Sequence, residues 1–190
     1  ATRRHALCAV RFTTVSRPGL LPPRWVGADL GRGTGDAAAW LSPIVERVIA
    51  VDRSEAMLDA GRKRLESQPN VEFVRGELSD LPIAEASVDA AVCSLVLHHI
   101  DNPAEVVRQM ARVLRAERGG GVALVVDMLE HRRTEYRHTM GHKHLGFRPE
   151  AAVGWLRQAG FKRAAARELA RDPAGKGPGL FAAAGWLTDE

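Results

Sequence analysis

The chain has 190 residues, 45% of them apolar and 26% charged, with a formal net charge of +4. That length suits one domain with a substantial core, and no apolar run reaches the ~18 residues that a membrane-spanning helix needs. Cys8 and Cys93 are the only cysteines, which excludes a disulfide framework or a cysteine zinc site and fits a cytoplasmic protein. Without repeats or an aromatic-rich basic stripe, no nucleic-acid or membrane partner is expected.

Residues 1–24 hold Arg3, Arg4, Arg11, Arg17 and Arg24 and no acid, an atypical leader read as disordered or as a truncated lid. The folded domain is expected over 25–190. It opens with an apolar strand, Val26–Leu30, then a glycine turn and a helix over 34–46 that Pro43 should bend. A buried strand over 48–51 ends at Asp52, and Ser54 can cap a helix to 67 whose apolar face includes Met57, Leu58 and Leu65. A third strand covers 71–74, and a fourth covers 88–92, with apolar character continuing to Leu97. Asp101-Asn102-Pro103 starts a helix carrying Val106, Val107, Met110, Val113 and Leu114 at helical spacing. Gly119-Gly120-Gly121 stops the chain before a strand over 122–128.

Residues 129–148 break the rhythm: they are polar, with His131, His138, His142, His144 and the single tyrosine, Tyr136. A helix over 149–159, with Trp155 and Leu156 on its apolar side, precedes strands over 163–169 and 180–186 joined by a Pro/Gly-rich connection. That connection suits a hairpin. Seven strands alternating with helices predict a Rossmann-like, doubly wound, mostly parallel sheet with an antiparallel C-terminal strand. In such a sheet chemistry belongs just beyond the carboxyl ends of the strands.

The turn after the first strand reads Asp-Leu-Gly-Arg-Gly-Thr-Gly over 29–35. Gly31, Gly33 and Gly35 permit backbone conformations closed to other residues and a close approach of a ligand. Asp52, closing the second strand, can accept hydrogen bonds from ribose hydroxyls. A dinucleotide site wants G-x-G-x-x-G; here the third glycine comes one residue early. Asp36 at the helix start would repel a pyrophosphate, and Asp29 suits an ammonium or a sulfonium better than an anion.

With these residues the chain resembles a class I S-adenosylmethionine-dependent methyltransferase of the broad group that includes quinone-biosynthesis enzymes. The resemblance rests on the glycine motif, on Val-Asp-Arg-Ser-Glu-Ala-Met-Leu (51–58), on Arg-Gly-Glu-Leu-Ser-Asp-Leu-Pro (75–82), and on the run from Ser87 to His99 followed by Met-Ala-Arg-Val-Leu-Arg (110–115) and a glycine run. It covers about residues 25–128. A weaker likeness, carried by Met-Gly-His-Lys-His-Leu-Gly-Phe (140–147), is to methyltransferases associated with ArsR-type regulators. The resemblance implies S-adenosylmethionine as cofactor and a small-molecule methyl acceptor. Asp29, Gly31, Gly33 and Gly35 would surround its methionine part, and Asp52 the ribose, with Arg53 beside it and Met57 near the adenine. Glu77 and the Leu78 amide would meet the adenine, and Ser94 and Leu95 the sulfonium. Arg32 and the short leader depart from the pattern, and motivate the alternative of a non-catalytic sensor of the cofactor. A nicotinamide-dependent oxidoreductase is the other alternative, disfavoured by the glycine spacing.

On the acceptor side, His98 and His99 follow the fourth strand and one of them, His98 before His99, is a candidate base, since imidazole titrates near neutrality; Tyr136 is a second candidate. The histidines of 131–144, with His98 and Asp127, provide metal-ligand chemistry, but no ordered spacing such as H-E-x-x-H is present, and no metal is expected.

Overall fold

The computed structural model describes residues 24–31, 35–117, 121–171 and 173–188. The strands are β1 (Val26–Leu30), β2 (Arg47–Asp52), β3 (Val71–Arg75), β4 (Ala90–Ser94), β5 (Val122–Met128), β6 (Arg163–Glu168) and β7 (Leu180–Trp186). The helices are α1 (Asp36–Leu41), α2 (Glu55–Arg64), α3 (Pro103–Val113), α4 (Tyr136–Thr139) and α5 (Pro149–Gln158), with a 3₁₀ turn at Leu97–His99. One sheet runs in the order β3-β2-β1-β4-β5-β7-β6. β1 to β5 are parallel, and β7 runs antiparallel to both β5 and β6. The fold is the one expected, a mostly parallel Rossmann-like sheet with an antiparallel C-terminal strand.

Alternation along each strand sorts the core onto two faces. Ala28, Leu30, Ile49, Val51, Ala91, Cys93, Ala123 and Val125 pack with Val106, Val107, Met110 and Val113 of α3 and with Ala152 and Leu156 of α5. Val48, Ala50, Ala90, Val92, Leu124 and Val126 pack with Ala37, Ala38 and Leu41 of α1 on the other face. Asp127 follows Val125 by two residues, so β5 presents it on the α3 face, at the strand's carboxyl end.

Several boundaries differ from expectation. The first helix stops at Leu41, with Ser42 as its C-cap just before Pro43, instead of reaching 46. The second ends at Arg64, and the Ser54 side chain makes no capping bond; its amide instead donates to Asp52 Oδ1 at 2.9 Å. Asn102 likewise makes no side-chain cap, and Pro103 alone starts α3 as its first residue. The fourth strand begins two residues late, because Val88 pairs only with Leu114 and Asp89 turns to accept from the Val26 amide at 2.7 Å and to pair with Arg115 at 3.2 Å. The 129–148 stretch contains the short helix α4. No described helix is long and apolar enough to cross a membrane.

Candidate functional site

Register brings the carboxyl ends of the central strands level. Leu30 lies opposite both Val51 and Cys93, so Gly31, Asp52 and Ser94 follow at one edge of the sheet. Gly31 turns the chain there at φ +84°, its amide donating to Val51 O at 2.7 Å. A Cβ at Gly31 would come within 2.6 Å of Leu78 Cδ1 and 2.7 Å of Val96 Cγ1, so both the backbone angle and the neighbours require glycine.

A cavity of about 160 Å³ opens at this edge, lined by Gly31, Asp52, Arg53, Gly76, Glu77, Leu78, Val96, His99 and Ile100. The Asp52 carboxylate is buried against Ser54, and Gly76 donates its amide to Asp52 O at 3.1 Å. Arg112 holds the loop after β3 over the sheet by donating to Leu81 O at 2.8 Å and Ile83 O at 3.0 Å. That fixes Glu77 and Leu78 above the cavity. Leu95 sits at φ +56°, a conformation that side chains with a Cβ take at a cost of roughly 1–3 kcal/mol. The bend carries the chain from β4 into the 3₁₀ turn and sets Val96 and His99 against the cavity.

Gly31, Asp52, Arg53, Glu77 and Leu78 therefore converge as the sequence suggests. Asp29 does not line the cavity: its buried carboxylate accepts from the Ala38 amide at 2.8 Å, anchoring the start of α1 to β1. Gly35 is the left-handed N-cap of α1. Met57 lies on exposed surface of α2, and Ser94 is buried with its hydroxyl lacking a hydrogen-bond partner among the described residues. Gly33 and Arg32 lie outside the described residues, as does the 1–23 leader. Gly76, Val96 and Ile100 line the cavity without having been singled out for it, and His99, weighed with His98 only as a base, lines it too. A glycine directly after β3 was the one readable signal among them. Asp36 is met by Arg64 at 2.5 Å, which weakens the repulsion that its bare charge would exert on a phosphate; the glycine spacing does not depend on it.

Beside the cavity, His98 Nδ1 lies 2.6 Å from Asp127 Oδ1, and both side chains are buried. Asp127 Oδ1 also accepts from the Met128 amide at 2.7 Å. The 141–147 loop folds back onto this pair through the main chain: the Lys143 and His144 amides both donate to His98 O, at 2.9 and 3.0 Å. His144 Nε2 reaches Ile100 O at 2.9 Å, and Lys143 pairs with Asp101. This brings the His142 ring to 4.3 Å from His98, 5.0 Å from His99 and 5.1 Å from Tyr136 between centroids. His142 is 3% exposed, and neither of its ring nitrogens has a hydrogen-bond partner among the described residues. Burial pushes its pKa down to about 4, with the neighbouring His98, His99 and His131 adding to the effect and Asp127 opposing it. It is neutral at pH 7. Tyr136 is half-buried, its hydroxyl accepting from Arg133 at 2.9 Å; His138 is exposed. Burial raises the Cys93 thiol well above its ordinary range, with Asp127 and Asp29 adding to it, so it is held protonated.

A glycine turn after β1, an acid ending β2 and a cavity over the strand ends define a Rossmann-like nucleotide-binding architecture. Residues 28–124 match the family model described as a methyltransferase domain. The chain belongs to that family, the class I S-adenosylmethionine-dependent methyltransferases. It is similar to a demethylmenaquinone methyltransferase of Clavibacter sepedonicus, 38% identical over 96 residues, covering 50% of this chain and 38% of that one. A protein of Mycobacterium tuberculosis named as a probable S-adenosylmethionine-dependent methyltransferase is 37% identical over 108 residues, covering 55% of this chain and 37% of that one. The matched stretch thus spans less than two fifths of either relative. The solved structure of a SAM-dependent methyltransferase from Aquifex aeolicus superposes with a TM-score of 0.67 over 88% of this chain and 85% of that one. At 18% identity, that likeness concerns the fold.

Proposed function

We propose that the chain transfers a methyl group from S-adenosylmethionine to a small-molecule acceptor, with the cavity beyond β1, β2 and β4 as its donor site. The observation that carries this reading is the convergence of Gly31, Asp52, Glu77 and Leu78 on one cavity, in a chain of the methyltransferase family. The donor fits the residues present. Gly31 leaves open the space that a Cβ would fill against Leu78 and Val96, Asp52 and Glu77 supply acceptors for hydroxyls and an amine, and Leu78, Val96 and Ile100 supply apolar walls. At about 160 Å³ the cavity is smaller than the ~300 Å³ at which whole-ligand pockets begin, so we assign it to the nucleoside end.

In this reading Asp52 accepts from the ribose hydroxyls with Arg53 beside it, while Glu77 and the Leu78 amide meet the adenine. Gly35, Ser94 and Leu95, with Gly33 by the family resemblance alone, are assigned to the methionine and sulfonium end, and Asp29 ties β1 to α1. Met57, on the exposed face of α2, is the weakest of these assignments. When bound, the donor supplies an electrophilic methyl group on a positively charged sulfur. The protein's work is to align acceptor and methyl and to exclude water. The carboxylate of Asp127 holds the proton of His98 on Nδ1, leaving Nε2 as the basic nitrogen to take a proton from the acceptor. Tyr136, edge-on to His142, closes the acceptor side.

Asp52→Ala removes charge-assisted hydrogen bonds of about 1.5–3 kcal/mol, so affinity for S-adenosylhomocysteine in calorimetric titration should fall about tenfold to a hundredfold. Unchanged affinity in a variant with an intact thermal transition would refute the donor site. Tight donor binding with no turnover on any acceptor would favour a sensor over an enzyme.

A further inference from the structure

Two of the three imidazoles that meet at His98, His99 and His142 have their tautomers set by their partners. Asp127 Oδ1 can only accept, so His98 Nδ1 donates and the lone pair lies on Nε2. Gly141 O, 3.1 Å from His99 Nδ1, likewise only accepts, and places the His99 lone pair on Nε2. His142 brings a third imidazole, buried and without a hydrogen bond at either nitrogen among the described residues. One ring nitrogen from each of the three lies within 4.8 Å of the other two. His142 is thereby left as a buried polar group unsatisfied among the described residues, a cost that a cation held by one nitrogen from each ring would remove.

We propose that His98, His99 and His142 bind a divalent transition-metal ion, zinc being the best fit, with Asp127 as the carboxylate that orients His98. Imidazole nitrogens suit zinc, whereas calcium and magnesium take oxygen ligands. A carboxylate on the far nitrogen of a ligating histidine is the usual support of such sites. Three protein ligands leave a position for water or substrate, and zinc–nitrogen distances of about 2.0–2.1 Å require the three rings to draw a little closer together. His131 is not a ligand: its Nδ1 accepts from the Arg133 amide at 3.2 Å, which puts its proton on Nε2. Because His99 also lines the cavity, the ion sits at the acceptor edge of the donor site. This placement rests on the methyl-transfer reading. An acceptor hydroxyl or thiol bound to the ion loses its proton to solvent more readily, and His98 then serves as a ligand instead of a base.

The test is calorimetric titration of the chelator-treated full chain with Zn²⁺, with Co²⁺ absorption in the visible as a second readout. One ion per chain is expected. His142→Gln and His99→Ala should each weaken binding at least tenfold, Asp127→Asn by about tenfold to a hundredfold, and His138→Ala should change nothing. His99→Ala, at the cavity edge, keeps the test open if His142→Gln fails to fold. Absence of stoichiometric binding, or binding that His99→Ala and Asp127→Asn leave unchanged, would overturn the site. Titration of the same metal-free protein with S-adenosylhomocysteine separates the two readings: S-adenosylhomocysteine binding without zinc binding refutes the metal site alone, and the reverse refutes the donor site alone.

Discussion

At the scale of single residues, the cavity depends on one glycine whose replacement has two costs. Alanine at Gly31 must adopt φ +84°, for which a residue with a Cβ loses roughly 1–2 kcal/mol, and its methyl must displace Leu78 and Val96 from the cavity wall. Gly31→Ala should lower the melting temperature and weaken S-adenosylhomocysteine binding more than tenfold, read by thermal scanning and calorimetry on the same protein. A fall in stability with donor affinity intact would mean that the turn does not shape the donor site. Residues that act through a local rule were legible from sequence: a glycine at a strand end, an acid closing the next strand. Asp29 shows the limit. Its type and spacing suited a cationic ligand, but its carboxylate caps α1 through Ala38, and a helix amide nine residues away gives no sign of that in the sequence. Val96 and Ile100 carry no signal of their own in the sequence, because an apolar wall and an apolar interior have the same composition.

At the scale of elements, the histidine cluster hangs on how the 141–147 loop lies along β5. Gly146, at φ +76°, crosses the strand so closely that a Cβ would come within 2.3 Å of Leu129 O and 2.8 Å of Met128 O. Neither backbone oxygen can yield without breaking the ladder in which the Phe147 amide donates to Met128 O and the Glu130 amide to Phe147 O. Gly146→Ala should lift the loop. In hydrogen exchange the Lys143 and His144 amides, which bond His98 O, should exchange faster while those of β1 and β4 stay protected. Equal protection in mutant and parent would show that the loop is held by side chains instead. Strand existence and order were readable from apolar runs, and β5, β7 and the start of α5 fall where the pattern put them. The starts of β4 and the end of α1 were not, since Asp89 leaves the strand to serve Val26 and Arg115, both distant in the chain.

For the molecule as a whole, the buried His142 links folding to pH. Its pKa is about 4 in the metal-free fold against an ordinary value of 6.5. Between those values the unfolded chain binds a proton that the native chain does not. The native state is therefore fully favoured above pH 6.5 and loses stability as pH falls toward 4, by at most roughly 3 kcal/mol at 1.36 kcal/mol per unit. Urea midpoints at pH 7.5 and 5 should show the loss, and His142→Gln should flatten it; a parallel slope in the mutant would assign the effect elsewhere. Nothing in local sequence announces this environment. The four groups that set it, His98, His99, His131 and Asp127, come from the 3₁₀ turn, the end of β5 and the loop beyond it, and meet only when the sheet is complete.

The loop joins the 3₁₀ turn through the carbonyl of His98, which takes both amides of Lys143 and His144. A junction made of peptide groups does not depend on which side chains residues 143 and 144 carry. Every residue lining the proposed donor cavity falls between Gly31 and Ile100, so that part of the chain and the segment facing it are joined by a seam that needs the close approach at Gly146 but not the side chains of Tyr136 or His142. In the methyl-transfer reading, variation at positions 136 and 142, which do not line that cavity, can then retune which molecule is met at that edge while the seam and the nucleoside seat stay as they are, so that acceptor choice can drift faster than donor choice.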